Sequence, residues 1–319
     1  MPGLRTALVA LLAATQAWSA GAAPSPAELW RAAALNASLL RGEQLGFTLG
    51  GVRSEALLRR WPSTTMCRPP TAGGEATCVR EWAASQQLAV RAVVTTFARH
   101  AAVWWHLEFA AAAAATSGDG VSAQESSPIL QDLHPAELSL PVPDVPGPVV
   151  LDWSAGSSAS PNDFEPHSAV LPPSNSSDSV GLMLPPELQR PVRGWLCCSG
   201  MSSDGSIGHD GIKSGGALPF FRLSFADNSA ATVAVGWTGA WQANVTRIGG
   251  GGGGGTVRLV TGMTTGVHPG STAWRGLYAR LRAGETVRGP SMALLYTDPP
   301  GPQQPPSGRA VNSWRPRPC

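Results

Sequence analysis

The stretch VAVGWTGAWQANVTR, from Val233 to Arg247, contains the clearest structural pattern in the sequence. Its apolar residues fall on odd-numbered positions, namely Val233, Val235, Trp237, Trp241, Ala243 and Val245. Its polar residues fall on even-numbered positions, namely Thr238, Gln242, Asn244 and Thr246. Side chains alternate between the two faces of an extended chain, so this pattern predicts a half-buried strand or hairpin with both tryptophans facing inward. One alternative stays open, in which Gly236 and Gly239 bend the strand and turn one indole toward a ligand or a second domain.

Short β-favouring runs recur elsewhere in the chain and are separated by Gly, Pro, Asn, Asp and Ser. The runs are 46–49, 77–82, 88–97, 102–109, 136–140, 149–153, 218–225, 231–237, 256–261 and 292–297. One amphipathic helix is predicted over Ala27–Arg41, with Ser25 as its N-cap. Many strands with almost no helix predict an all-β domain, a large antiparallel β-sandwich of the supersandwich type. Two low-complexity stretches, Ala110–Ser127 and Ile248–Gly255, are predicted to be long loop insertions.

The ends of the chain differ in composition from its middle. An arginine, an apolar run and then small residues predict a secretory signal peptide over residues 1–22. We expect a helical or linker segment over 23–44, the β-sandwich over 45–298 and a proline-rich tail over 299–319. The predicted destination is therefore extracellular or the lumen of the secretory pathway. Past the signal peptide, no apolar stretch is long enough for a membrane span.

Charge and composition restrict the classes of molecule that the chain is expected to bind. The 319 residues carry 23 basic and 21 acidic side chains, for a net charge of +2. The basic residues are scattered, whereas a nucleic-acid-binding surface needs a clustered basic face. No His and Cys spacing suggests a metal site, and no motif suggests a cofactor. We therefore expect no metal, no cofactor, no nucleic-acid partner and no membrane partner.

The cysteines and the N-glycosylation motifs agree with the predicted secretion of the chain. Cys67 and Cys78 flank a Pro- and Gly-rich loop and are the candidate disulfide. The pairing of Cys197, Cys198 and Cys319 stays open. Three sequons are present, at Asn36, Asn175 and Asn244, and these asparagines are the candidate glycosylation sites.

The most site-like segment is SSASPNDFEPHS, which contains Asp163 and Phe164. Hydrolysis of a glycoside needs two carboxyl groups that flank the scissile bond. The sequence contains enough Asp and Glu, but composition alone does not pair them. An Asp or Asn turn that hydrogen-bonds its own backbone explains the same segment equally well.

Several stretches, taken in order, resemble the N-terminal β-sandwich domain of α-galactosidase-type enzymes of glycoside hydrolase family 36. The most specific are LPFFRLSF at 218–225 and VAVGWTGAW at 233–241. SAGSSASPNDFEP at 154–166 looks like the family's Asp-Phe loop. The others are GFTLGGVRSEALLRRW at 46–61, REWAASQQLAVRAVVTTFARHAAVWWHLEF at 80–109, SPILQDL at 127–133, VRLVTGMTTGVH at 257–268 and LRAGETVRGPSMALLY at 281–296. Ala283 stands where a proline is usual in the family.

The resemblance implies a sandwich that precedes a (β/α)₈ barrel, with both catalytic aspartates in the barrel. The nucleophile of the family lies in a Lys-x-Asp motif, whereas the only lysine here, Lys213, is followed by Ser-Gly. No catalytic residue is therefore assigned to this chain. GRAVNSWRPRPC at 308–319 is similar to the family's passage into the barrel, so we expect a fragment of a longer enzyme.

Two functions compete at this point. In the first, the chain is the accessory domain of a secreted α-galactosidase-like hydrolase and is inactive alone, and a galactoside binds in the barrel. Trp237, Asp163 and Phe164 then contact the sugar or the barrel, while Trp241 belongs to the core. In the second, the chain is a free-standing, non-catalytic extracellular sandwich that binds a glycan or another protein.

Overall fold

The structure is a computed structural model that describes residues 24–83, 88–112, 127–155, 166–171, 180–181, 217–236, 241–249, 254–263 and 277–298. These residues form two helices and seventeen strands. The helices are α1 (Pro26–Arg41) and α2 (Ser54–Leu58). The strands are β1 (Gly46–Leu49), β2 (Val52–Arg53), β3 (Ser63–Arg68), β4 (Glu75–Ala83), β5 (Leu88–Phe97), β6 (Ala102–Ala111), β7 (Leu130–His134), β8 (Ala136–Pro141), β9 (Val149–Ala155), β10 (Pro166–Leu171), β11 (Val180–Gly181), β12 (Ala217–Ser224), β13 (Ala230–Gly236), β14 (Trp241–Ile248), β15 (Thr256–Met263), β16 (Tyr278–Ala279) and β17 (Thr286–Thr297).

The strands form an antiparallel sandwich, which confirms the predicted fold class. One layer is a nine-stranded sheet in the order β10-β9-β12-β13-β17-β6-β5-β4-β3. The other layer contains two four-stranded sheets, β16-β7-β1-β2 and β11-β14-β15-β8. Aromatic contacts join the layers, because the rings of Phe47 and Phe109 lie 5.2 Å apart and those of Phe221 and Trp241 lie 6.4 Å apart.

The core of the sandwich follows from alternation along the central strands. In β6 the odd-numbered residues Val103, Trp105, Leu107 and Phe109 are fully buried. The same alternation in β5, β13 and β17 places one apolar row per strand against the second layer. Buried Trp105 also donates a hydrogen bond from Nε1 to the carbonyl oxygen of Pro135, at 2.6 Å. Pro135 lies between β7 and β8, so this bond ties the nine-stranded sheet to the corner that joins the two smaller sheets.

The described part of the stretch Val233–Arg247 places its apolar residues in the core, as its alternation predicts, and Trp237 lies outside the described residues. Val233, Val235, Trp241, Ala243 and Val245 are all buried. The prediction of a single strand or hairpin is wrong, because β13 pairs with β12 and β17 whereas β14 pairs with β11 and β15. The chain therefore crosses from one layer to the other. The apolar faces of β13 and β14 point into the same core from its two sides.

Helix α1 confirms the predicted helix and its cap. The Ser25 side chain accepts a hydrogen bond from the backbone N–H of Glu28, and the Glu28 side chain accepts one from Ser25, which makes a capping box. The helix ends at Arg41 and is capped by Gly42, whose φ of 79° is in the left-handed region. Its buried residues Ala32, Leu35 and Leu39 join the core of the sandwich. The helix contacts β4, β5, β6 and β17 and so covers part of the nine-stranded sheet.

Some strands have no signal in the sequence, and β3 is the clearest case. It is the edge strand of the nine-stranded sheet, and every residue from Thr64 to Arg68 is exposed. A strand exposed on both faces has no apolar alternation, so only its pairing with β4 reveals it. The predicted insertion Ala110–Ser127 also begins too early, because β6 continues through Ala111. Residues 113–126 and 250–253 of the two predicted insertions lie outside the described residues.

A disulfide joins Cys67 of β3 to Cys78 of β4. The two residues are directly opposite each other in the antiparallel register, with their Cα atoms 4.0 Å apart. The bond closes the hairpin at the sheet edge. Cys197, Cys198 and Cys319 lie outside the described residues.

Candidate functional site

The predicted site residues Trp237, Asp163 and Phe164 lie outside the described residues, but the strands that lead to them are described. Trp237 follows Gly236, the last residue of β13, and the segment with Asp163 and Phe164 joins β9 to β10. Strands β9 and β13 lie on either side of β12 in the sheet. The end of β9 pairs with the start of β12, so β9 and β13 end at the same end of the sheet. Two strand spacings separate them, about 10 Å.

A polar cluster lies beside Gly236, on the face of the nine-stranded sheet that points away from the core. We call His106, Glu108, Arg288 and Ser291 the outer cluster. Ser291 is paired with both Gly236 and His106, and Arg288 is paired with Glu108. The His106 Nε2 atom lies 3.1 Å from Glu108 Oε1, and Arg288 donates a hydrogen bond to the Ser291 hydroxyl at 2.9 Å. These four side chains therefore form two hydrogen-bonded pairs next to the chain that leads to Trp237.

The outer cluster depends on an irregularity in β17. The register with β6 shifts between Arg288 and Ser291, so the two residues between them in β17 lie opposite one residue of β6, Leu107. Such a bulge places Arg288 and Ser291 on the same face although their numbers differ in parity. Proline at position 290 is tolerated there because a bulge needs no regular ladder hydrogen bond.

Trp104 of β6 belongs to the same face but does not offer its ring to a sugar. The Arg288 guanidinium carbon lies 5.3 Å from the centre of the indole, and the His106 ring centre lies 5.0 Å away. Only 9% of Trp104 is exposed. The cation–π contact with Arg288 occupies the ring, and so Trp104 serves to hold the guanidinium beside Ser291.

Charged residues of alternating sign cross this face in one row. Glu81 of β4, Arg91 of β5, Glu108 of β6 and Arg288 of β17 are successive partners in the pairing of their strands. The Arg91 Nε and Glu81 Oε2 atoms are 2.5 Å apart. Opposite charges across strands stabilise the sheet. A glycosidase needs space for substrate between its two carboxyl groups. Here Arg91 lies between Glu81 and Glu108. The row therefore stabilises the pairing of the strands, and its two carboxylates are not a catalytic pair.

A second polar cluster lies in the other layer, around Glu137 of β8. Its Oε1 atom is 2.7 Å from the Arg53 guanidinium and 3.6 Å from Nδ1 of His134. The polar contact with His134 and the charge of Arg53 hold the pKa of the Glu137 carboxyl below its ordinary value, although burial opposes them. A carboxyl group with a lowered pKa is ionised at neutral pH and is a poor general acid. Glu137 therefore does not supply the proton donor of a glycosidase.

Two of the three sequons are described, and they differ in structure. Asn244 of β14 is exposed, and the Thr246 hydroxyl donates a hydrogen bond to its Oδ1 at 3.3 Å. Asn36 is inside α1 and its Oδ1 atom is buried. Asn175 lies outside the described residues.

We expect Asn244 to carry a glycan and Asn36 to carry none when the chain is expressed through a eukaryotic secretory pathway. An oligosaccharide must leave the surface without clashing, which an exposed strand residue allows and a half-buried helix residue does not. Mass spectrometry before and after enzymatic deglycosylation measures this in Asn244→Gln and, as the matched control, Asn36→Gln. A glycan retained in Asn244→Gln but lost in Asn36→Gln would contradict the assignment.

Two classes of feature are absent from the part of the chain that the structure describes. No described helix is both long and apolar enough to cross a membrane. No group of three or more His, Cys, Asp or Glu side chains in the described ranges is arranged to hold a metal ion.

The chain is similar in structure to enzymes of the class that its sequence resembles. Family 36 α-galactosidase AgaA from Geobacillus stearothermophilus matches at a TM-score of 0.46 and 12% identity, over 80% of this chain and 30% of that one. The α-galactosidase from Lactobacillus brevis matches at 0.45 and 14%, over 80% and 29%. The α-N-acetylgalactosaminidase NagBb from Bifidobacterium bifidum matches at 0.42 and 12%, over 80% and 30%.

The chain thus spans about 30% of the length of these enzymes. No protein-family model matches the sequence, and no curated protein matches it. A structural similarity this weak does not assign any functional residue of those enzymes to this chain.

Proposed function

We propose that this chain is the accessory β-sandwich of a larger, secreted α-galactosidase-like glycoside hydrolase. It packs against a catalytic barrel and shapes the sugar site from one side, and it has no hydrolytic activity alone. The ordered resemblance of its sequence stretches to the N-terminal domain of such enzymes supports this proposal. The antiparallel sandwich that these stretches form is also the fold that the resemblance implies.

The single observation that carries the proposal is the position of the two strands that lead to the predicted contact segments. The strands that lead to Trp237 and to Asp163 and Phe164 end about 10 Å apart at one end of the nine-stranded sheet. Two segments that start from strand ends this close together can contact one ligand or one neighbouring domain. In the outer cluster Arg288 is exposed and Glu108 is partly exposed, whereas His106 and Ser291 are buried. The guanidinium and carboxylate groups beside the same end suit hydrogen bonds to sugar hydroxyls or to polar groups of a barrel.

The carboxylates of the charged row and of the Glu137 cluster are consistent with a domain that contributes contacts and not chemistry. Glu81 and Glu108 are engaged in the charged row, and Glu137 contacts Arg53. Catalysis in this proposal belongs to residues outside the chain.

The experiment begins by sequencing the transcript past the codon for Cys319. We expect the reading frame to continue into alternating strands and helices with a Lys-x-Asp motif. The longer product should hydrolyse a chromogenic α-galactoside, and the 319-residue chain should not. In the longer product, Trp237→Ala should lower kcat/KM about 10-fold, the effect of losing one aromatic contact of about 1.4 kcal/mol.

The control for that experiment is Tyr278→Ala, which removes a mostly exposed aromatic from the small sheet β16-β7-β1-β2. It should leave kcat/KM unchanged. A stop codon directly after Cys319 would overturn the proposal. Saturable binding of galactosides to the 319-residue chain, lost in Trp237→Ala, would then favour a free-standing glycan-binding sandwich.

A further inference from the structure

The point where the chain leaves the last described strand is fixed on helix α1. The carboxylate of Asp298, which follows β17, accepts a hydrogen bond from the Ser25 hydroxyl. The backbone N–H of Asp298 donates to the Glu28 carboxylate. An ion pair of 3.2 Å joins Asp298 to Arg31. These three contacts hold Asp298, the last described residue, against the first turns of the helix.

A small cleft lies beside this point. Its walls include Arg31, Pro141, Pro143, Phe225 and Tyr296, and its volume is about 150 Å³. The Arg31 guanidinium carbon lies 5.9 Å from the centre of the Tyr296 ring. Sites for drug-sized ligands occupy about 300–1,000 Å³. This cleft therefore fits one ring or side chain and not an oligosaccharide.

Trp30, which precedes Arg31 in the helix, lies on the solvent side of α1. It is 70% exposed, the largest exposed fraction of any large apolar side chain in the described ranges. Ala33, Ala34 and Ala37 follow it at helical spacing and are also exposed. A tryptophan at the head of an exposed apolar stripe is typical of a surface that another segment covers.

We propose that residues 299–306 dock on this surface. They read PPGPQQPP, in which five of the eight residues are proline. Proline-rich segments form polyproline II helices, which dock on aromatic surfaces at low entropic cost because they are already extended. Eight residues in this form span about 25 Å. The stripe from Trp30 to Ala37 is only about 11 Å long, so the segment has ample reach.

The docked segment fixes the direction in which the chain leaves the sandwich. The proposal is independent of the proposed function, since it concerns only the contact between this segment and α1. If a catalytic barrel follows, the docked segment holds it in one direction relative to the sandwich.

The test uses the full chain and a competitor peptide. In one variant the prolines of the segment are all replaced by serine, at positions 299, 300, 302, 305 and 306. A synthetic PPGPQQPP peptide is then titrated into this variant and into the unchanged chain, and the amide resonances of α1 are followed by NMR. We expect saturable binding to the serine variant with a Kd of about 1 mM, at the weak end of the affinity scale. The unchanged chain should bind the peptide about 10-fold more weakly, because its own segment competes at an effective concentration of about 10 mM.

Two controls assign the contact. Adding Trp30→Ala to the serine variant should weaken peptide binding about 10-fold or more, whereas adding Ile248→Ala, a loss of another exposed apolar side chain, should not. A peptide of the sequence SSGSQQSS should not bind. Equal binding to the serine variant and the unchanged chain, no binding to either, or binding that survives Trp30→Ala would each overturn the proposal.

Discussion

Replacement of Trp105 by alanine is expected to lower the free energy of unfolding by about 5 kcal/mol. The indole is fully buried between the two layers, and deletion of a buried Trp or Phe side chain costs about 3–5 kcal/mol through lost burial and the cavity left behind. The variant also loses the hydrogen bond from Nε1 to the Pro135 carbonyl, and a buried polar group without a partner costs about 1–3 kcal/mol. Urea denaturation followed by circular dichroism measures the change.

Trp105→Phe separates the two contributions. It keeps most of the buried ring but removes the donor, so we expect a loss of about 1–3 kcal/mol. Met66→Ala removes a large apolar side chain from an exposed position and should change the unfolding free energy by less than about 0.5 kcal/mol. A Trp105→Ala variant within about 1 kcal/mol of the unchanged chain would show that the contact to Pro135 does not join the layers.

Replacement of Gly262 by alanine is expected to cost about 3 kcal/mol. A Cβ atom on Gly262 of β15 would lie 2.4 Å from the carbonyl oxygen of Leu133 and 2.7 Å from the Cα atom of His134. Both are backbone atoms at the end of β7, next to the corner at Pro135, so relief of the clash requires the backbone there to shift. Overpacking of this kind costs about 1–3 kcal/mol, and more where backbone must move.

Gly73→Ala is the matched control for this prediction. Gly73 lies in the turn between β3 and β4, and a Cβ there would be 3.5 Å from its nearest neighbour, the Thr71 hydroxyl. We expect an effect of less than about 0.5 kcal/mol, measured by the same urea titration. Equal stability of the Gly262→Ala and Gly73→Ala variants would contradict the close approach of β15 to the corner.

Both predictions concern one structural feature, the corner at Pro135. Trp105 approaches it from the nine-stranded sheet and Gly262 approaches it from the sheet β11-β14-β15-β8. The second layer contains two sheets that this corner connects. The corner therefore joins all three sheets, and its disruption is expected to affect the whole fold and not one hairpin.

The candidate site was predictable only in part. The resemblance of the sequence led to Trp237, Asp163 and Phe164, and the described strands bring the segments that contain them to one end of a sheet. The outer cluster had no sequence signal. His106 and Glu108 share a face by their spacing, but Arg288 and Ser291 are about 180 residues away and differ in parity. Their common face depends on the bulge at 288–291, which only the pairing with β6 reveals.

The sequence by itself determined which faces of its elements are buried. A period of two places Val233, Val235 and Trp241 in the core, because successive side chains of an extended chain point in opposite directions. Ser25 and Glu28 likewise set the start of α1, since a capping box is a contact between residues three apart. The tertiary structure decided which strands pair, and hence the crossing between β13 and β14, the edge position of β3 and the outer cluster. The alternation of apolar and polar residues along a strand is the same whichever strand pairs with it. The choice of neighbour depends instead on packing between residues far apart in the chain, which no local pattern encodes.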